Sequence, residues 1–202
     1  MIPIFPTTYF GSIAYFKELV KYDHALIECH ENFPKQSYRN RCDIVMTDGI
    51  LSLSCPVVRH SGSKTPTGEV KLSDDESWKR DHWRSITSGY NPSPYLEHYG
   101  EEIKELIFNK EENLVRYNMT IMQRICEWLD LDINLTSTED FRPIEEHDYR
   151  TFLAKKMYSM NTKQHHTFKV FPGEDRFKSS VSILDAILCV GPMARNLLIE
   201  RT

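Results

Sequence analysis

Glycine is scarce in this chain, with 8 in 202 residues, and neither G-x-G-x-x-G nor G-x-x-x-x-G-K-[ST] occurs. Gly62-Ser63-Lys64-Thr65 lacks the spacing with which a glycine loop cradles phosphates, which argues against a glycine-loop nucleotide site. G-x-S-x-G and H-E-x-x-H are also missing, and with them the hydrolase nucleophile elbow and the zincin metal helix. The five cysteines, Cys29, Cys42, Cys55, Cys126 and Cys189, contain no C-x-x-C pair. Structural zinc and thioredoxin-like redox chemistry lose their usual signature, and the thiols read as buried cysteines of a reducing cytosol. No basic excess exists: Lys+Arg 25 against Asp+Glu 29 leaves a net charge of −4, which speaks against a nucleic-acid binder. No long hydrophobic run exists either. The most apolar stretch, Val181 to Ala194, is too short to span a bilayer and holds Asp185, Gly191 and Pro192. Met1-Ile-Pro-Ile-Phe-Pro6 lacks the basic and apolar regions of a secretory signal. A cytoplasmic protein is expected, with no metal and no cofactor, and with the N-x-T sequences at Asn118 and Asn134 unmodified.

What is there is apolar enough to fold: 40% hydrophobic and 11% aromatic residues exclude a disordered polymer. The length suits a single domain over residues 1–202. Ile13, Phe16, Leu19 and Val20 recur at helical spacing and predict a helix over 12–22. His24 to Cys29 reads as a short buried strand, so the chain opens as strand or loop, helix, strand, the two strands parallel. Asp43 to Met46 and Ile50 to Cys55 are strand-like runs joined by Thr47-Asp48-Gly49, a hairpin signal. Residues 59–68 read as an exposed loop and Glu69 to Leu72 as one more strand. Ser73 or Asp74 is expected to cap a helix reaching Ser88, and Ser93-Pro94 a second, with Tyr95, Tyr99, Ile103 and Leu106 on one face. A third helix over 111–130 carries Leu114, Tyr117, Ile121, Ile125 and Trp128 as a core stripe. Strands at Ile133 to Thr136 and Thr167 to Phe171 and two closing helices over 183–189 and 191–200 complete an α/β or α+β domain. Its expected parts are a mixed β-sheet, a central hairpin and a helical layer.

Two polar clusters could carry chemistry. Lys35-Gln36-Ser37-Tyr38-Arg39-Asn40-Arg41 packs three cations and four neutral hydrogen-bonding residues into seven positions directly after a strand. Lys35, Ser37, Arg39, Asn40 and Arg41 suit a phosphate or carboxylate, since guanidinium matches oxyanions with paired bonds. The same arginines could instead pair with Glu28, Glu31 or Asp43. In the second cluster Trp78 and His82 stand one helical turn apart, followed by Trp83, Arg84 and Tyr90. His82 could act as a general base, or be a core histidine satisfied by a backbone carbonyl. His165-His166 would point to opposite faces of a strand, and so would Cys29 and His30, against a metal pair and a Cys–His dyad.

Tyr9-Phe10-Gly11, Tyr15-Phe16, Ile27-Glu28, the block Lys35 to Arg41 and Leu51-Ser-Leu-Ser-Cys-Pro-Val57 together resemble the WbqC-like family. The resemblance continues through Trp78, His82-Trp83-Arg84-Ser85-Ile86, Tyr90, Ser93-Pro94-Tyr95, Phe171, Phe177, Ser182-Ile-Leu-Asp185 and Gly191-Pro192. It implies a bacterial, cytoplasmic protein linked to surface polysaccharide (O-antigen-type) biosynthesis. Two roles fit: a transferase acting on a nucleotide-activated sugar or acyl donor, or a non-catalytic ligand-binding or assembly factor. Under the first, Lys35, Arg39 and Arg41 hold phosphate or carboxylate, His82 moves a proton, and Trp78, Trp83 and Tyr90 stack on sugar or base. Many relatives begin with His-Gln-Pro where this chain has Ile4-Phe5-Pro6. A small-molecule partner, no nucleic acid, no membrane span and a symmetric homodimer are the expected associations.

Overall fold

The computed structural model describes residues 2–59, 64–141, 148–151 and 180–199. Strand β1 (Ile4–Pro6), helix α1 (Ile13–Leu19) and strand β2 (His24–Glu28) form the opening unit. β1 and β2 are parallel, Ile4 opposite Leu26 and Pro6 opposite Glu28. Short runs buried on both faces, such as Ile4-Phe5-Pro6, are what a covered parallel strand requires. Ser12 starts α1 by accepting a hydrogen bond from the Tyr15 amide at 3.1 Å. The helix ends at Leu19, short of the expected residue 22, because Lys21 and Tyr22 bond back three residues to Glu18 and Leu19 and tighten the last turn.

A later strand, β7 (Asn134–Ser137), pairs in parallel with the other side of β2, giving the order β1-β2-β7. The hairpin β3 (Arg41–Met46) and β4 (Gly49–Ser54) turns through Thr47 and Asp48, with Met46 opposite Gly49. Gly49 opens β4 at φ +142°, a conformation side chains rarely adopt. β5 (Val57–Val58) and β6 (Lys71–Leu72) make a second antiparallel pair. Among the described residues, therefore, the two pairing senses occupy separate sheets instead of one mixed sheet. The hairpin cannot extend through β3 because helix α2 (Ser77–Tyr90) lies there, with the Val45 amide donating to Tyr90 Oη at 3.1 Å. Gly89 permits that approach: a Cβ would stand 2.8 Å from Met46 Sδ and 3.0 Å from the Val45 oxygen.

α2 begins later than expected and without a side-chain cap at Glu76. Asp75 rather than Ser73 or Asp74 serves its first turn, accepting from the Ser77 amide at 2.9 Å. Helix α3 (Leu96–Phe108) also starts later, after Tyr95, while α4 (Leu114–Trp128) is capped by Asn113, whose Oδ1 accepts from the Val115 and Arg116 amides. The stripes fall inward as expected: Ile103, Leu106, Leu114, Tyr117, Ile121 and Ile125 belong to the core. The described part of the 59–68 loop is not exposed throughout. Thr65 and Thr67 are fully buried, and backbone bonds tie them to Phe33 and Glu31. α5 (Ile183–Val190) and α6 (Ala194–Ile199) close the described chain, Ser182 Oγ capping α5 and donating to the Phe10 oxygen at 2.8 Å. No described helix is long and apolar enough to cross a membrane. The expected strand at Thr167 to Phe171, and His165, His166 and Phe177, lie outside the described residues.

Candidate functional site

Ligand sites of open parallel sheets lie beyond the carboxyl ends of the strands. Here those ends are Thr7 and Thr8 after β1, Glu28 to Glu31 at the end of β2, and Thr138 after β7. Glu28 is fully buried. Its carboxylate accepts from the His30 amide at 2.6 Å, Thr138 Oγ1 at 3.2 Å and Arg150 Nη1 at 3.0 Å. Arg150, brought from far along the chain, also grips Asp148 through Nε and Nη2. Arg39, 3% exposed, places Nε 2.7 Å and Nη2 2.6 Å from Glu31 Oε1, and Nη2 donates to the Arg150 carbonyl at 3.1 Å. Three carboxylates thus face two guanidiniums behind the sheet edge. Burial pushes the Glu31 carboxyl upward, against the opposite pull of Arg39.

The segment carrying Arg39 is strapped to the end of β1. The Tyr38 carbonyl accepts from the Tyr9 amide and from Thr8 Oγ1, both at 3.3 Å. Asn118 Nδ2 donates to the Arg39 carbonyl at 2.7 Å and to Thr7 Oγ1 at 3.0 Å. Asn40 Nδ2 donates to the Cys55 carbonyl at 2.7 Å, and Arg41 Nε to Ser54 Oγ at 3.0 Å. Lys35 is exposed and Ser37 buried. The first expected cluster therefore divides. Arg39 is committed to Glu31, one of the acidic partners named as the alternative, while Lys35 and Arg41 reach solvent.

The second cluster divides too. His82 is 5% exposed, with Nδ1 2.9 Å from Tyr9 Oη and a further bond to the Ser54 backbone. Trp78 meets the imidazole edge to face at 5.1 Å, and Tyr117 stacks on Tyr9 at 6.1 Å. Burial lowers the His82 pKa to about 4, so the ring is neutral near pH 7. Tyr90 is buried as well, bonded to Val45 and Asp185. Trp83 leans toward Lys104 of α3 at 5.9 Å, and Arg84 is exposed. Position i and i+4 spacing did bring Trp78 and His82 together, but inside the core, away from Trp83 and Arg84.

Glu28, Thr7, Thr138, Asn118, Asp148 and Arg150 were not singled out as site residues by local pattern. Glu28 stands out in the sequence only as a possible partner for the arginines; the others come from distant segments. No group of three or more His, Cys, Asp or Glu is arranged to hold a metal among the described residues.

Fold and site define a protein with a small parallel sheet, a packed hairpin, and a buried ionic cluster at the strands' carboxyl ends. The chain belongs to the WbqC-like protein family, whose model matches residues 7–157 and so takes in both clusters. It is similar to the uncharacterised protein Rv1507c of Mycobacterium tuberculosis, 23% identical over 134 residues, 66% of this chain and 55% of that protein. The chain thus spans about half the length of this curated relative. No solved structure matches it.

Proposed function

We propose that this protein, one WbqC-like domain over residues 1–202, acts in bacterial surface polysaccharide (O-antigen-type) biosynthesis as a cytoplasmic transferase, binding a nucleotide-activated sugar or acyl donor at the carboxyl ends of β1, β2 and β7. One observation carries the reading. Glu31, a carboxylate pushed upward by burial, stands beside Arg39 where β2 ends, while Lys35 and Arg41 of the adjoining segment reach solvent. Burial that raises a carboxyl makes it a stronger base than a free one, the property a proton-moving group requires. Lys35 and Arg41 would hold the donor's phosphates. In this reading Glu31 takes the proton-moving role that the sequence suggested for His82, and Arg39 positions Glu31. The pathway rests on the family's association with polysaccharide gene clusters, and a homodimer is its default assembly.

Thermal shift of wild type and the Lys35→Ala/Arg41→Ala variant tests this reading, with nucleotide sugars, nucleoside diphosphates, acyl-CoA, inorganic phosphate and neutral sugars. A ligand that binds only the folded state raises the midpoint. A shift with one phosphorylated class that the double variant loses is the expected result. No shift with any of them overturns the reading. The burial and neutrality of His82 favour a second reading, a non-catalytic ligand-binding or assembly factor using the same edge. It predicts that Glu31→Gln leaves the function of the bound complex intact, where the transferase reading predicts loss of turnover.

A further inference from the structure

The hairpin closes one of its edges on the protein and leaves the other open. Along β3 the Asp43 carbonyl accepts from the Ser182 amide at 2.7 Å, and the Val45 amide donates to Tyr90 Oη at 3.1 Å. In an antiparallel pair, residues that face each other without bonding turn their main-chain groups outward on both strands. Asp43 stands opposite Ser52 and Val45 opposite Ile50, so Ser52 and Ile50 present theirs along the far edge of β4. That edge pairs with no other described strand, and no described residue bonds to those groups. Natural edges are guarded by charge, proline or a bulge. Gly49-Ile-Leu-Ser-Leu-Ser54 has neither charge nor proline, and its register with β3 is unbroken. Ile50 and Leu51, 47% and 38% exposed, add apolar surface on the two faces.

The pattern itself names the occupant. Laid antiparallel on itself about a two-fold at Leu51, the strand sets Ile50 of each copy opposite Ser52 of the other, each such pair exchanging both main-chain bonds. Leu51 meets Leu51, an apolar pair on the axis. At either end Asp48, exposed and with no partner among the described residues, comes opposite Ser54 of the other copy, whose Oγ accepts from Arg41 Nε at 3.0 Å. Opposite charges therefore meet at both ends, and no like charges face each other along β4. Arg41 keeps further N–H groups for a phosphate beside that pair.

We propose that β4 is the interface of a symmetric homodimer, in which two hairpins join edge to edge into one antiparallel sheet; this rests on the homodimer taken above as the default assembly and on no part of the transferase reading. Sedimentation velocity across a range of concentrations tests it, with melting temperatures to show that each variant folds. Wild type should pass from monomer to dimer as concentration rises. Ser52→Pro removes an outward amide, which an edge strand tolerates, and symmetry doubles the loss. The dimer dissociation constant should rise about tenfold or more. Ile50→Lys should weaken the dimer similarly by setting a charge on the edge. Mild oxidation should cross-link two copies of Leu51→Cys but not of wild type, because facing residues without main-chain bonds lie closest. Ile50→Cys, on the other face and opposite Ser52, should not cross-link. A wild type that stays monomeric overturns the interface, and so does a dimer that neither Ser52→Pro nor Ile50→Lys weakens. A dimer in which Leu51→Cys fails to cross-link overturns the two-fold at Leu51. None of these outcomes bears on donor binding, which the thermal-shift ligand panel decides separately.

Discussion

Tyr9 Oη lies 2.9 Å from His82 Nδ1, joining the segment after β1 to the inward face of α2. Burial raises the Tyr9 hydroxyl well above its usual range and lowers the imidazole, so both stay neutral at physiological pH. The pair is a neutral hydrogen bond inside an aromatic core, and it ties the hairpin in through Ser54.

The first prediction concerns pH. Because the folded His82 pKa of about 4 lies below its ordinary 6.5, the unfolded chain binds the proton more tightly. The stabilisation is complete above pH 6.5 and is lost progressively as pH falls from there toward 4. The whole effect is worth about 3 kcal/mol. Urea denaturation of wild type and His82→Gln at pH 7.5 and pH 4.5 measures it. Wild type should lose more stability than the variant across that interval, and equal slopes would contradict a buried neutral ring.

Arg39 and Arg41, two positions apart, should behave differently on truncation. Arg39→Ala leaves Glu31 half in the protein with no cation and costs about 3–5 kcal/mol. Arg41→Ala removes one exposed bond to Ser54 and changes stability by about 0.5 kcal/mol or less. Chemical denaturation of the two variants reads the difference directly. A mild Arg39→Ala would mean that the ionic cluster is not formed in solution.

Gly191 ends α5 at φ +58°, and a side chain there would run into the Tyr95 ring. Gly191→Ala must meet both the left-handed backbone penalty and the steric clash, and should cost about 2 kcal/mol or more. Gly191→Ala in a Tyr95→Ala background should recover part of that loss, since the ring is then gone. Melting temperatures of the single and double variants provide the comparison.

None of the five cysteines is disulfide-bonded, and only Cys29 is half-exposed. Burial raises its thiol too, and pushes Cys126 up to about 12. A thiol-disulfide reagent at pH 8 should modify Cys29 slowly, and Cys42, Cys55, Cys126 and Cys189 only after denaturant is added. Rapid reaction of more than one thiol in the native protein would show the core to be open.

Local pattern placed most of the elements, though not their ends. The Thr47-Asp48-Gly49 turn between two apolar runs gives the hairpin, 3–4 spacing from Leu114 to Ile125 gives α4, and a short apolar run before Glu28 gives β2, because turn chemistry and burial of one face are local constraints. Spacing also placed Trp78 beside His82. What it could not decide was which side of the surface these groups fall on. Arg39 is drawn inward because Glu31 and the Arg150 carbonyl wait there, and Arg150 arrives from 111 residues away. His82 is withdrawn from solvent because Tyr9 and the Ser54 backbone meet it from two other segments. Phe5 is completely buried and stacks on Tyr149 at 4.3 Å. Charge and hydrogen-bonding capacity are properties of a side chain, but whether they are spent on the protein or offered to a ligand depends on partners that only the tertiary fold brings together.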